Sequence, residues 1–450
     1  MTSRKILVAG AGSNVGKTTV ALGLLTAYRD LGYQVQGFKC GPDFIDPTYQ
    51  TVLSGRTARN LDSWMCDEAR LKEILSRASF GADISIIEGV MGLYDGKSPL
   101  SNRGSSYEIA EITDTPVLLV IDASGMARSA AALVKGFQAL SLGVNICGVF
   151  ANKVGSVGHF NLVKQAVEAE CGIPVLGYLK WDEQISLPER YAGLDPLLTN
   201  TYEEKFSYLS KIIQENVDLS KLYKLMGRQK SHLVREEVYG FSPAKSSIKI
   251  GVARDAAFHF YYEENLEILQ QLGAEIIYFS PIKDQELPEV DGLYIGGGFP
   301  ERYAKELSAN ESMKHSINEA IKAGMPSFAE GGGFMYLTER ILDCEGQAYP
   351  MVGVIPGEAQ MHDRFQGLGY RTVQALTEDG LLDPKEKARG HVFHYSSFTP
   401  YEALEPAFQL SGRLGDYLDG VTIEQLSASY VHLHFTSCPG FLHRWIEACH

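Results

Sequence analysis

The sequence predicts an α/β protein of two doubly wound domains, on three observations. Short runs rich in β-branched residues and apolar on both faces alternate with helical patterns, as strands of a parallel sheet covered by helices do. This series occurs twice, with a polar, broken stretch between about residues 200 and 246. The chain of 450 residues also exceeds one ordinary core, since a domain takes about 150 residues.

In the first half, strands are expected over 5–10 (KILVAG), 35–40 (VQGFKC), 84–90 (ISIIEGV), 116–123 (PVLLVIDA) and 145–152 (NICGVFAN). Each is apolar on both faces and belongs in a sheet interior. Helices are expected over 18–32, closed by a glycine, and over 127–143. Residues 200–246 read as a solvated helix and a linker. The first domain is therefore expected over 1–230, the linker over 231–246 and the second domain over 247–450. Strands of the second series fall at 247–255 (SIKIGVARD), 274–280 (AEIIYFS), 291–298 (DGLYIGGG), 325–333 (MPSFAEGGG) and 428–435 (ASYVHLHF).

Hydrophobic residues make up 45% of the chain and charged residues 21%, a globular balance. A net charge of −14 without a lysine/arginine run argues against nucleic acid and anionic membrane as partners. The seven cysteines are scattered, without a CxxC pair or metal-like spacing, and read as reduced thiols. The apolar run at the N-terminus is too short for a signal peptide, and no later window reaches the roughly 18 apolar residues of a membrane span. A soluble, cytoplasmic protein is expected.

Residues 9–19, AGAGSNVGKTT, join the first strand to the first helix. The pattern Gly10-x5-Gly16-Lys17-Thr18 is a phosphate loop one residue longer than standard, because position 11 is alanine. Backbone N–H groups of the loop, through Gly12, Ser13, Asn14, Val15 and on to Thr19, suit the phosphates of ATP. Lys17 neutralises the outer ones, and the Thr18 hydroxyl suits Mg²⁺. In IIEGVMGLYDG (86–96), Glu88 ends a buried strand where an acidic residue holds Mg²⁺ or its water, and Asp95 follows in the next loop. FKCGPDFIDP (38–47) places Lys39, Asp43 and Asp46 at a strand end and in a Gly/Pro loop, facing the same crevice. A lysine there stabilises charge on a transferring phosphoryl group, while aspartates bind metal or position a nucleophile. Thr18, Asp46 and Glu88 are the expected metal ligands.

Together with NLDSWM (60–65) and SLPERYAGL (186–194), these segments resemble the cobyrinate a,c-diamide synthase family, glutamine-dependent enzymes of corrinoid biosynthesis. The longer phosphate loop also resembles dethiobiotin synthetase. The likeness covers nearly the whole chain. It implies that the first domain is P-loop NTPase-like, makes an acyl phosphate from ATP and a carboxylate, and lets ammonia displace phosphate.

By the same resemblance the second domain is class I glutamine amidotransferase-like. Such a domain frees ammonia from glutamine with a cysteine on a strand-to-helix elbow and a histidine far downstream. RDAAFHFYYEENLEIL (254–269), GGGFPE (296–301), MYL (335–337) and RGHVFHYS (389–396) resemble its motifs. The elbow falls in FAEGGGFMYL (328–337), where Gly331 stands in place of the cysteine. His432 matches the histidine, with His434 two residues along on the same strand face. Gly297 and Gly298 match the oxyanion amides. Neither Cys344 nor Cys438 lies where it could replace the nucleophile, and Val392 stands where the family motif usually has an acidic residue. Two departures favour natural decay over an engineered change.

Glycine cannot form a thioester, and losing a nucleophile costs about a million-fold in rate. Glutaminase activity is expected to be negligible. The leading expectation is a ligase that uses ATP and Mg²⁺ to amidate the a,c-type carboxylates of a tetrapyrrole such as cobyrinate, with ammonia in place of glutamine. Sirohydrochlorin or sirohaem stays open as the ring. A non-enzymatic tetrapyrrole-binding subunit is a separate alternative, against which Lys17, Thr18, Lys39 and Glu88 argue. A partition-type ATPase shares the loop but has no use for the second domain. A homodimer is left open.

Overall fold

The structure is a computed structural model. It describes residues 2–185, 199–230, 237–242, 247–378, 380–413 and 415–450. The motif at 186–194 and most of the expected linker lie outside the described residues. The chain divides into two compact units, Met1–Val234 and Arg235–His450.

The first unit is built on β1 (Thr2–Gly10), β2 (Val35–Cys40), β3 (Arg59–Leu61), β4 (Ile84–Gly92), β5 (Val117–Asp122), β6 (Ile146–Val154) and β7 (Val175–Lys180). They pair in parallel in the order β3-β2-β4-β1-β5-β6-β7. All six residues of β2 and the first six of β4 are buried. Double-sided cover by helices explains why these strands read as continuous apolar runs. The winding reverses beside β1, so the crevice at its carboxyl end is where such a sheet receives a ligand. A short strand, β8 (Gly227–Lys230), adds antiparallel to β1.

Helix α1 (Lys17–Asp30) follows β1, and α2 (Ile45–Ser54) follows β2. The helix expected to be solvated, α3 (Thr199–Asn216), instead buries Phe206, Leu209 and Ile213. Its apolar stripe seats on α1 at Gly23, where an added Cβ would lie 2.8 Å from Ile213 Cγ1. The polar residues of its outer face mask this stripe in the sequence.

In the second unit the sheet holds β9 (Lys249–Ala253), β10 (Glu275–Phe279), β11 (Gly292–Ile295), β12 (Ser327–Glu330), β13 (Gly367–Ala375), β14 (Lys387–His394), β15 (Pro406–Gly412), β16 (Gly415–Ile423), β17 (Leu426–Ser429) and β18 (His432–Leu433). The order is β10-β9-β11-β12-β17-β16-β15-β13-β14-β18. From β10 to β17 the pairing is parallel, and beyond β17 it is antiparallel. A separate four-stranded sheet uses residues 338–342, 348–350, 355–361 and 396–400.

The strand expected over 428–435 is broken. β17 ends at Ser429, and β18 pairs with β14 so that His432 faces His391 in register. His434 lies beyond β18 at the start of a 3-10 turn, so the two histidines do not share a strand face. Among the described residues no helix is long and apolar enough to cross a membrane.

Candidate active site

In the first unit the sheet register builds the site. Lys39 and Glu88 are direct partners across β2 and β4, near the carboxyl ends of both strands. Lys39 Nζ donates to Glu88 Oε1 at 2.7 Å and also pairs with Asp46, which α2 carries in its first turn. Thr18, in the first turn of α1, donates to the same Glu88 oxygen at 2.6 Å. Gln50, one turn after Asp46 on α2, donates to Glu88 Oε2 at 3.0 Å.

These groups leave water together, so their charges are strongly coupled. Burial alone would depress the Lys39 ammonium, but Asp46, Glu88 and Asp43 outweigh it and hold the lysine charged well above its ordinary range. Burial, and then the negative charge of Asp46, push the Glu88 carboxyl up to about 7, against Lys39 and Thr18. The pocket carries more negative charge than one lysine offsets comfortably.

The loop beside it has the geometry of a phosphate cradle. A Cβ at Gly10 would lie 2.6 Å from Val15 Cγ2 and 2.8 Å from the Gly12 carbonyl oxygen, so the loop closes only over a glycine. Gly16 has φ +93°, the left-handed region that glycine alone enters freely. It precedes α1 without a side-chain cap, which leaves the helix's first amides turned toward the crevice. Val15 is buried, Ser13 and Asn14 are exposed on the rim, and Thr18 and Thr19 are half-buried. Lys17 Nζ donates to the Gly12 carbonyl at 2.9 Å, across the mouth of the loop.

The remaining sequence candidates hold loops. Asp43 Oδ1 accepts the amide of Ile45 at 2.8 Å, turning the chain into α2. Asp95 is exposed, and its Oδ2 accepts the amide of Gly92 at 2.9 Å, outside the Lys39–Asp46–Glu88 cluster.

In the second unit Gly331 occupies the corner between β12 and the short helix over Gly332–Leu337, with φ +57° and ψ −114°. Such angles are nearly closed to a residue with a side chain, and they are the strained corner of a nucleophile elbow. A Cβ at Gly331 would lie 2.5 Å from both Cε1 and Nε2 of His432, and one at Gly297 would meet the same ring. The imidazole is thus wedged between the elbow and the glycine turn. Val392 is completely buried on β14.

Against known proteins, the CobQ/CobB/MinD/ParA nucleotide binding domain matches residues 6–193, and the CobB/CobQ-like glutamine amidotransferase domain matches residues 249–439. Cobyrinate a,c-diamide synthase of Priestia megaterium is 47% identical over 451 residues, covering 100% of this chain and 98% of that one. The chain belongs to the cobyrinate a,c-diamide synthase family. Members from Picrophilus torridus (40% identical, 100% of both chains) and Listeria innocua (41%, 97% of this chain and 98% of that one) are similar over the same length. The family is one of ligases with a nucleotide-binding domain, which makes this chain an ATP-using enzyme.

Several residues of this synthase-family site escape sequence reading. Asn152, at the end of β6, donates to the Val15 carbonyl at 2.8 Å, and Lys153 donates to the Asn14 carbonyl at 3.1 Å and to Asp122 at 2.7 Å. They brace the phosphate loop from a strand 137 positions away. The polar pair Asn152–Lys153 that closes the apolar run of β6 is the available signal. Asn60, in the NLDSWM motif, donates to the carbonyls of Gly41 and Asp43 at 2.8 Å and holds the loop that carries Asp43. In the amidotransferase-like unit Asn265 clamps both sides of His434. It donates to the Leu433 carbonyl at 2.9 Å and accepts from the Phe435 amide at 2.8 Å.

Neither Cys438 nor Cys344 is an activated thiol. Burial raises the Cys438 thiol far above its usual range, and its Sγ lies against the His434 carbonyl at 3.9 Å. Cys344 is exposed, and burial and nearby carboxylates raise it too.

Proposed function

We propose that this chain amidates the a- and c-type carboxylates of cobyrinate in cobalamin biosynthesis, using ATP and Mg²⁺, and takes its nitrogen as ammonia because its glutaminase half lacks a nucleophile. The observation that carries this reading is the buried Lys39–Asp46–Glu88 cluster, joined by the half-buried Thr18, beside the phosphate loop.

The first amides of α1 and Lys17 hold the outer phosphates of ATP. Thr18, Asp46 and Glu88 offer the hard oxygen donors that suit Mg²⁺, which typically takes one or two carboxylates and completes its shell with phosphate and water. The fit rests on the pocket's excess negative charge, which now draws Lys39 between two carboxylates. When bound, the ion neutralises charge on the phosphates. Lys39 then serves the transferring phosphoryl group. A substrate carboxylate oxygen attacks the γ-phosphorus and ADP leaves. Ammonia next attacks the acyl carbon, the phosphate oxygen departs with its bonding pair, and a proton is lost from nitrogen to give the amide. Asp43 and Asp95 order the loops that bound the crevice. No disulfide links the cysteines among the described residues, which supports a cytoplasmic location.

The test is an amidation assay with ATP, Mg²⁺ and ammonium, run with cobyrinate and separately with sirohydrochlorin. Amides on cobyrinate at two positions are expected. ATP hydrolysis without amide formation on either ring would sink the reading.

A further inference from the structure

The groups assigned so far leave Glu330 without a role. It is fully buried and immediately precedes the elbow glycine. Its Oε1 lies 3.6 Å from His432 Nδ1, a charge-pair distance longer than a hydrogen bond. Cε1 and Nε2 of the same ring face the elbow. Two donors fix the carboxylate: Tyr294 Oη to Oε1 at 2.9 Å and the Leu433 amide to Oε2 at 3.0 Å. The second of these ties Glu330 to the residue next to His432. The side chain two residues after His432 is His434, which is engaged elsewhere, with Nε2 3.9 Å from Glu264 and Nδ1 bonded to Thr436 at 2.8 Å.

We infer that Glu330 is the positioning residue of this elbow. Its carboxylate holds His432 with Nδ1–H toward Glu330 and Nε2 toward the nucleophile position, as an orienting acid does for a catalytic imidazole. The acid is supplied from the residue before the elbow and not from the histidine's own segment. This inference is independent of the amide-ligase reading, since it concerns a tautomer in the second unit.

The hydrogen-bond geometry predicts what Glu330→Gln does. The Leu433 amide needs an acceptor, so the carboxamide oxygen must take the place of Oε2, and the NH₂ group then faces Tyr294 and His432 Nδ1. Nδ1 must become the acceptor, and the proton moves to Nε2. Volume is unchanged while the wrong nitrogen carries the proton.

The experiment is a long-range ¹H–¹⁵N correlation on the full chain labelled at its eleven histidines, with His432 assigned by its loss in His432→Gln, at a pH where the ring is neutral. The unmodified chain should show Nδ1–H and a bare Nε2. Folded Glu330→Gln should show the reverse. Tyr294→Phe, which removes one donor to the carboxylate, should leave the tautomer as it was. An Nε2–H signal in the unmodified chain, or an unchanged tautomer in folded Glu330→Gln, overturns the inference. If Glu330→Gln does not fold, the unmodified chain and Tyr294→Phe still decide it.

Discussion

Lys39 Nζ lies 2.7 Å from Glu88 Oε1, with both side chains buried, because β2 and β4 place the two residues opposite each other. Removing the lysine leaves Glu88 and Asp46 facing each other without a cation. Breaking such a buried pair costs about 3–5 kcal/mol. Lys39→Met should therefore lower the urea stability of the first unit by about that amount, and added Mg²⁺ should restore part of it. Unchanged stability would mean that the pair is not a charge cluster.

Lys17→Ala should abolish amidation and leave the circular dichroism spectrum as it was, since Lys17 reaches over the loop mouth to the Gly12 carbonyl. Retained turnover at saturating ATP would remove the phosphate-loop assignment. Glu88→Gln should weaken the dependence of rate on Mg²⁺. An unaltered metal dependence would put the metal on Asp43, Asp46 or Asp95 instead.

The sequence made β1, β2, β4, β5 and β6 legible because a parallel sheet covered on both sides needs uninterrupted apolar runs, whereas the edge strands β3 and β7 were not read. The glycine spacing made the loop legible because Gly10 and Gly16 are sterically required. The pairing of Lys39 with Glu88 was not legible, since register between strands 49 residues apart leaves no local trace. Nor were β13 to β16. Open positions interrupt them, alternating with buried ones along β13 and running through most of β16, and a half-polar strand is easily taken for loop. His432 and His434 read as neighbours on one face, but β18 ends at Leu433 and His434 starts a 3-10 turn, so one ring lies beside Glu330 and the other beside Glu264.

The second unit should be acid-labile. Burial, with His432 and Arg371 adding to it, depresses His391 to about 3, and burial depresses His434 to about 3. Both rings stay neutral when folded but charge near pH 6.5 when unfolded, so their contribution is present above that pH and is lost as pH falls. From pH 7 to pH 5 the loss is about 2 kcal/mol for each ring. Trp445, buried in this unit, reports its unfolding once Trp64 and Trp181 are replaced by phenylalanine. A urea midpoint that does not move between these pH values would contradict the burial of the two rings.

Restoring the thiol with Gly331→Cys should give partial glutaminase activity at a cost in stability. The backbone there is strained for any residue with a Cβ, by about 1–3 kcal/mol. The His432 ring, 2.5 Å from the added carbon, must also shift. Glutamate release and the thermal midpoint measure the two effects. Full activity with no loss of stability would show that the corner relaxes more than its angles suggest.

The most direct measurement is the amide formed by the unmodified chain from ATP, Mg²⁺ and cobyrinate, at equal millimolar ammonium or glutamine freed of ammonia. Amide should form with ammonium and not with glutamine, because attack on an acyl phosphate needs only the first unit while glutamine hydrolysis needs the thiol that Gly331 lacks. Equal use of glutamine would mean that another group has taken the nucleophile's place, and no amide from either source would contradict the ligase assignment itself.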